Sequence, residues 1–240
     1  MNEKEYTEGI QVQSKALKWL DNFWYHYKWH TLITLFFVIV FTVCTVQMCT
    51  QKTSDILVMY AGSESLDEGE RSNITKVFEY LVEGEEYSVD INSYNILSED
   101  EIKDMSAETD ANGDPVFVNR AFYNEEYQTY RTYLGTGESS VMILSPWAYE
   151  EIAVEALRPV SELTDKVPED ALAGEYGVIL GKLDIYEKYE ALQVLPEDTV
   201  ICLRRPNSIM GKNSKEKNYA KEEELFCAIV EYINAENIGE

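Results

Sequence analysis

Ser214 and Lys217 stand three positions apart in Ser214-Lys-Glu-Lys217, the spacing of a serine nucleophile with a lysine base. That chemistry needs a lysine whose pKa is depressed by burial, and the stretch from Lys212 to Lys217 is too polar to supply it. Both histidines of the chain, His26 and His30, precede residue 31. The segment beyond them therefore lacks Ser-His-Asp and Cys-His catalysis, HExxH zinc chemistry and any histidine general base. Acidic residues are abundant enough to form a glycosidase-like carboxylate pair, but the same abundance makes any one pair uninformative. Cys202 and Cys227 are too few for a four-cysteine metal site. In an oxidising compartment they are a possible disulfide, but both fall on apolar element faces, where a buried free thiol is the commoner state. Asp110-Ala-Asn-Gly-Asp114 has part of a calcium-loop spacing, yet with Gly113 at the turn, Asn119 falls where the bidentate Glu belongs. An Asn-Gly surface turn is the simpler reading. No cofactor and no metal are expected, and the chain is read as non-catalytic.

Two loops carry better equipment for binding than for catalysis. Tyr60, Gly62, Ser63 and Ser65 follow one apolar run, and Ser145, Trp147 and Tyr149 follow another. Hydroxyls, backbone donors and aromatic faces at the carboxyl ends of parallel strands suit a small polar ligand. The competing reading is that the aromatics pack and the serines cap helices.

The elements that would position these loops alternate between strand and helix patterns. Asp55 to Tyr60 is a short apolar run closed by Ala61-Gly62-Ser63; Ile74, Val77, Phe78 and Leu81 mark one helix face that Gly84 can end; Tyr87 to Leu97 returns as a strand. This βαβ order predicts a parallel sheet. Ser98 to Asp114 reads as an acidic, irregular excursion. Asn119 to Leu134 reads as a tyrosine-bearing helix closed by Gly135, followed by a strand at Val141 to Leu144 and a helix opened by Ser145-Pro146. Further strands are expected at Tyr176 to Leu180 and Thr199 to Leu203, and Leu225, Ile229, Tyr232 and Ile233 define a last amphipathic helix.

Between Trp29 and Gln51 there is no Asp, Glu, Lys or Arg, although the chain as a whole is 27% charged. About 20 apolar residues cross a hydrocarbon core, so this stretch is read as a transmembrane helix over 29–51. Lys15, Lys18 and Lys28 precede it and only Lys52 follows closely, which predicts a cytoplasmic N-terminus. Trp19, Trp24 and Trp29, with Phe23, Tyr25 and Tyr27, suit the headgroup layer, so 1–28 reads as a cytoplasmic tail with an interfacial aromatic segment. Met48 and Gln47 stand where small residues would precede a lipidated cysteine, so Cys49 reads as a member of the span rather than a lipid attachment site.

The formal charge of −24 falls beyond the span: residues 1–50 hold four basic and four acidic residues, leaving 16 basic against 40 acidic in 51–240. Such a surface repels nucleic acid. The expected architecture is a single-pass plasma-membrane protein whose residues 52–240 form an acidic, extracytoplasmic, three-layer α/β domain with a mainly parallel sheet.

Leu134-Gly-Thr-Gly-Glu-Ser-Ser-Val-Met-Ile-Leu144, Trp147-Ala-Tyr149 and Leu157-Arg-Pro-Val-Ser-Glu-Leu163 together resemble a stretch of bacterial extracellular solute-binding proteins of the type 2 periplasmic-binding fold. The resemblance covers residues 54 to about 165. It implies a domain reduced to roughly one lobe, and one lobe cannot enclose a solute by hinge closure. The expected role is therefore an accessory or assembly component of the cell envelope, with membrane lipid and an envelope or membrane protein as partners. A tethered receptor feeding a small polar solute to a transporter is the second reading, and an extracellular hydrolase using carboxylates the third.

Overall fold

The computed structural model describes residues 15–50, 54–82, 87–109, 113–206 and 216–233, and the chain divides into two compact units, 1–53 and 54–240. Among the described residues the first unit is one helix, α1 (Lys15–Thr50), unbroken through the position where the aromatic segment gives way to the uncharged run. At 1.5 Å per residue it is about 54 Å long. Its stretch Asn22–Val46 is long and apolar enough to cross a membrane, which is compatible with an anchor or with a signal sequence. Trp19 stacks on Phe23 and Phe23 on Tyr27, with ring centroids 5.6 and 5.3 Å apart, as residues four apart on a helix should. The hydroxyls of Thr42 and Thr45 donate to the carbonyls of Val38 and Phe41, so neither needs water.

The second unit is α/β. Its elements are β1 (Ile56–Gly62), α2 (Glu68–Leu81), β2 (Val89–Asn95), α3 (Glu99–Ala107), α4 (Arg120–Thr136), β3 (Val141–Leu144), α5 (Pro146–Ala156), β4 (Leu172–Ala173), β5 (Gly177–Ile179), α6 (Asp184–Lys188), β6 (Val200–Leu203) and α7 (Glu216–Val230). The strands form one sheet in the order β2-β1-β3-β6-β5-β4. Side chains alternate across it. Val58, Tyr60, Ile91, Ile143 and Ile201 join a core with α2 and α7, while Met59, Ala61, Met142, Leu144 and Cys202 join a second core with α4 and α5. Helices thus cover both faces, giving three layers.

The sheet is mixed, which corrects the expectation of a mainly parallel one. β1 runs parallel to β2 and β3, but β3–β6, β6–β5 and β5–β4 are antiparallel. Parallel neighbours require a long crossover, which α2 supplies between β1 and β2 and the α3–α4 segment supplies on the way to β3. Between Leu157 and β6 the chain is built from single helical turns, two short strands and the five-residue α6, and it returns on itself. Gly174, at φ +68°, makes the tight turn between β4 and β5, a conformation that L side chains rarely adopt.

Two helices differ from the sequence reading. The irregular stretch after Ser98 contains α3, because the Ser98 hydroxyl accepts from Glu101 N while the Glu101 carboxylate accepts from Ser98 N. This reciprocal cap satisfies two orphan donors and was written in the Ser-x-x-Glu spacing. Helix α4 runs past Gly135 and ends at Gly137, whose φ of 69° lets its N–H reach Tyr133 O. Helix α2 ends at Leu81; Gly84 lies outside the described residues, as do Ser214 and most of the Asp110–Asp114 turn.

Candidate functional site

Helices α2 and α5 leave the carboxyl ends of the adjacent strands β1 and β3 toward opposite faces of the sheet. In open α/β sheets such a point of divergence is where ligands commonly sit. The two loops named from the sequence do meet here, since Ser145 N donates to Ala61 O at 2.8 Å.

The side chains, however, are mostly committed to the protein. Tyr60 is 1% exposed and turns toward the α2 face, where its phenolic oxygen accepts from Glu64 N at 3.2 Å and staples the following loop. Burial pushes its pKa up to about 12, and the negative charges of Glu64, Asp198 and Glu101 push the same way. The mouth of the crevice is therefore acidic. Ser145 accepts from Ala148 N and caps α5. Trp147 and Tyr149 belong to the opposite face: the Trp147 ring lies 5.7 Å from that of Tyr127, and the Tyr149 hydroxyl donates to Ala173 O. Gly62 is buried against Tyr60, Ser63 is half-buried, and Ser65 is exposed. The structure thus brings Gly62, Ser63 and Ser145 to the crevice and takes Tyr60, Trp147 and Tyr149 into the two cores.

Cys202 and Cys227 are free thiols. They cannot form the possible disulfide, because Cys202 packs on the α4–α5 face of β6 and Cys227 packs on the α7 side of the sheet. Burial pushes both thiols up in pKa, so neither is activated.

Glu222 is the buried carboxyl that sequence reasoning missed. It is 1% exposed on α7 and takes hydrogen bonds from Ser140, while its Oε2 has no partner. Burial raises its pKa to about 7. Its position on the inward face of an amphipathic helix, one turn from Phe226, was the available signal.

Among the described residues three grooves lie elsewhere, and none of them is lined by the seven expected ligand residues. A groove of about 510 Å³ runs between Tyr80, Cys227 and Tyr232. One of about 380 Å³ lies beside Arg71 and Asp90. The third, about 430 Å³, opens between α4, α5 and the exit of β6 and is lined by Arg131, Gly135, Glu151, Glu155, Arg204 and Arg205 among others. Backbone bonds fix its floor: Arg204 N donates to Ser140 O and Arg205 N to Ala156 O, both at 2.8 Å. On its wall Glu151 is engaged by Arg131 at 3.0 Å and by the Tyr127 hydroxyl at 2.7 Å.

Comparison of the chain with protein-family models, with curated proteins and with solved structures gives no match.

Proposed function

We propose that this is a single-pass membrane protein whose α/β domain is non-catalytic, lies outside the cytoplasm and serves as an accessory or assembly component of the cell envelope by binding a partner protein. The observation that carries this reading is the helix Asn22–Val46. From Leu32 to Val46 every side chain is exposed, although almost all are apolar. An apolar helix whose side chains are exposed along its length is stabilised by lipid, where each buried methylene contributes about 0.8 kcal/mol. Lys28 before the uncharged run supports a cytoplasmic N-terminus. The non-catalytic part draws on the crevice at β1 and β3, where Tyr60 is a structural plug and the caps are engaged in helix initiation. The likeness of residues 54 to about 165 to one lobe of a solute-binding protein belongs to the same reading.

The test is carbonate extraction of membranes, followed by protease added to intact protoplasts. The protein should stay with the membrane and lose its C-terminal domain to the protease. Mass spectrometry should find the peptides of α1 in the mature chain. Release by carbonate, or a mature chain lacking α1, overturns the anchor; a protected C-terminal domain overturns its external placement. Crosslinking in membranes should capture one recurrent protein. The receptor reading is favoured by a different observation, the arginine-lined cleft, and predicts stabilisation by a small polar solute instead.

A further inference from the structure

Three of the six arginines in the chain, Arg131, Arg204 and Arg205, line the cleft between α4, α5 and the end of β6. In a segment with 16 basic against 40 acidic residues, most cations should be paired with carboxylates, as Arg158 is with Glu223 and Lys221 with Asp55. Arg204 and Arg205 are different. Among the described residues neither takes part in an ion pair; the Arg205 side chain donates through Nε to the carbonyl of Leu157, and Arg204 Nη1 is buried with no hydrogen-bond partner. The phenolic oxygen of Tyr130, beside Arg204, is also buried without a partner. Unmade hydrogen bonds on a partly desolvated guanidinium are costly, and an oxyanion repairs them best, because its oxygens match the planar donor fork of arginine.

The cleft is also of the right kind. A volume of about 430 Å³ lies within the range of small-molecule sites. Arg131 can contribute only in part, since Glu151 already holds it, and Glu155 on the rim limits how much negative charge the cleft tolerates. The local formal balance of three arginines against two glutamates suits a small anion rather than an acidic polymer. We infer that this cleft is a binding site for a small oxyanion, a phosphate or carboxylate group, held chiefly by Arg204 and Arg205 at the exit of β6. The inference does not depend on the membrane reading or on the crevice at β1 and β3.

The experiment is thermal unfolding of the full chain in non-ionic detergent, with inorganic phosphate and with succinate as probes, each against sodium chloride at equal ionic strength. Phosphate, succinate or both should raise Tm by about 2–4 °C over chloride. Stabilisation by phosphate alone assigns a phosphate-bearing ligand, and by succinate alone a carboxylate. The gain should vanish in Arg204→Gln and Arg205→Gln and persist in Arg120→Gln, which removes a surface arginine paired with Glu99 far from the cleft. Should Arg204→Gln fail to fold, the exposed Arg205 decides the matter. No gain over chloride with either probe, or a gain undiminished in Arg205→Gln, overturns the site.

Discussion

The phenol of Tyr60 lies directly against Gly62, so that a Cβ at position 62 would sit 2.6 Å from Oη and 3.0 Å from Cζ. The ring is sealed in the α2–α7 core and cannot swing away without opening it. Gly62→Ala should therefore destabilise the domain by about 1–3 kcal/mol, the usual cost of overpacking. Tyr60→Phe removes the offending oxygen and loses one hydrogen bond from Glu64 N, for about 1 kcal/mol. The double variant should lose less than the sum of the two, as measured by urea unfolding. Strict additivity would mean that the two positions do not touch.

Glu222 makes stability depend on pH in an unusual direction. Its pKa is raised from the ordinary 4.5 to about 7, chiefly by burial, so the folded state holds a proton that the unfolded state releases. The contribution is complete below pH 4.5 and is lost as pH rises through 7, amounting at most to about 3 kcal/mol. Asp55 and Glu231, held low by Lys221 and Lys166, act oppositely at lower pH. Glu222→Gln isolates the effect. The variant should gain stability relative to the parent between pH 5 and pH 8, and a difference that does not change with pH would refute the assignment.

The two thiols of the α/β domain should answer differently to maleimide. Cys202 is fully buried in β6 with its thiol directed to Met142 O, whereas Cys227 is half-buried near Leu163 O. Native protein should label slowly at Cys227 and not at Cys202, and both should react once urea unfolds the chain. A peptide containing the two joined by a disulfide in purified protein would contradict the placement on opposite faces.

Arg158 ties the last helix to the segment after α5. Its Nη1 donates to Glu223 at 2.8 Å and to the Tyr219 hydroxyl at 3.2 Å, and that hydroxyl donates in turn to Arg204 O at 2.9 Å. Desolvation opposes the charge on Arg158, but Tyr219 and Glu223 outweigh it and hold the pKa up. Arg158→Ala should destabilise by about 1–3 kcal/mol, and Arg158→Lys by less, since one ammonium can replace part of the fork. Equal losses in the two variants would show that packing of the stem, and not the charge, is what matters.

Much of the fold was legible because it rests on local pattern. The uncharged run in α1, the βαβ order from β1 to β2, the Ser145-Pro146 start of α5 and the apolar face of α7 each depend on side chains a few positions apart. Short-range chemistry also wrote the Ser98-Glu101 cap, which the eye passes over in an acidic stretch. What the sequence could not carry was long-range. The antiparallel half of the sheet is set by where β6 inserts beside β3, with Val141 opposite Leu203, and by how β5 then joins it, with Gly177 opposite Cys202, and register between distant strands leaves no local trace.

The functional side chains divide along the same line. Residue types alone determined that histidine chemistry is absent beyond His30 and that the charge past the apolar run is strongly negative. Only the tertiary structure decided that Tyr60 faces inward, that Cys202 and Cys227 lie on opposite faces, and that Arg131 meets Arg204 and Arg205 from a distant part of the chain. The physical reason is that strand alternation tells which residues share a face, while the choice of face and the neighbours found there follow from the closing of the whole core.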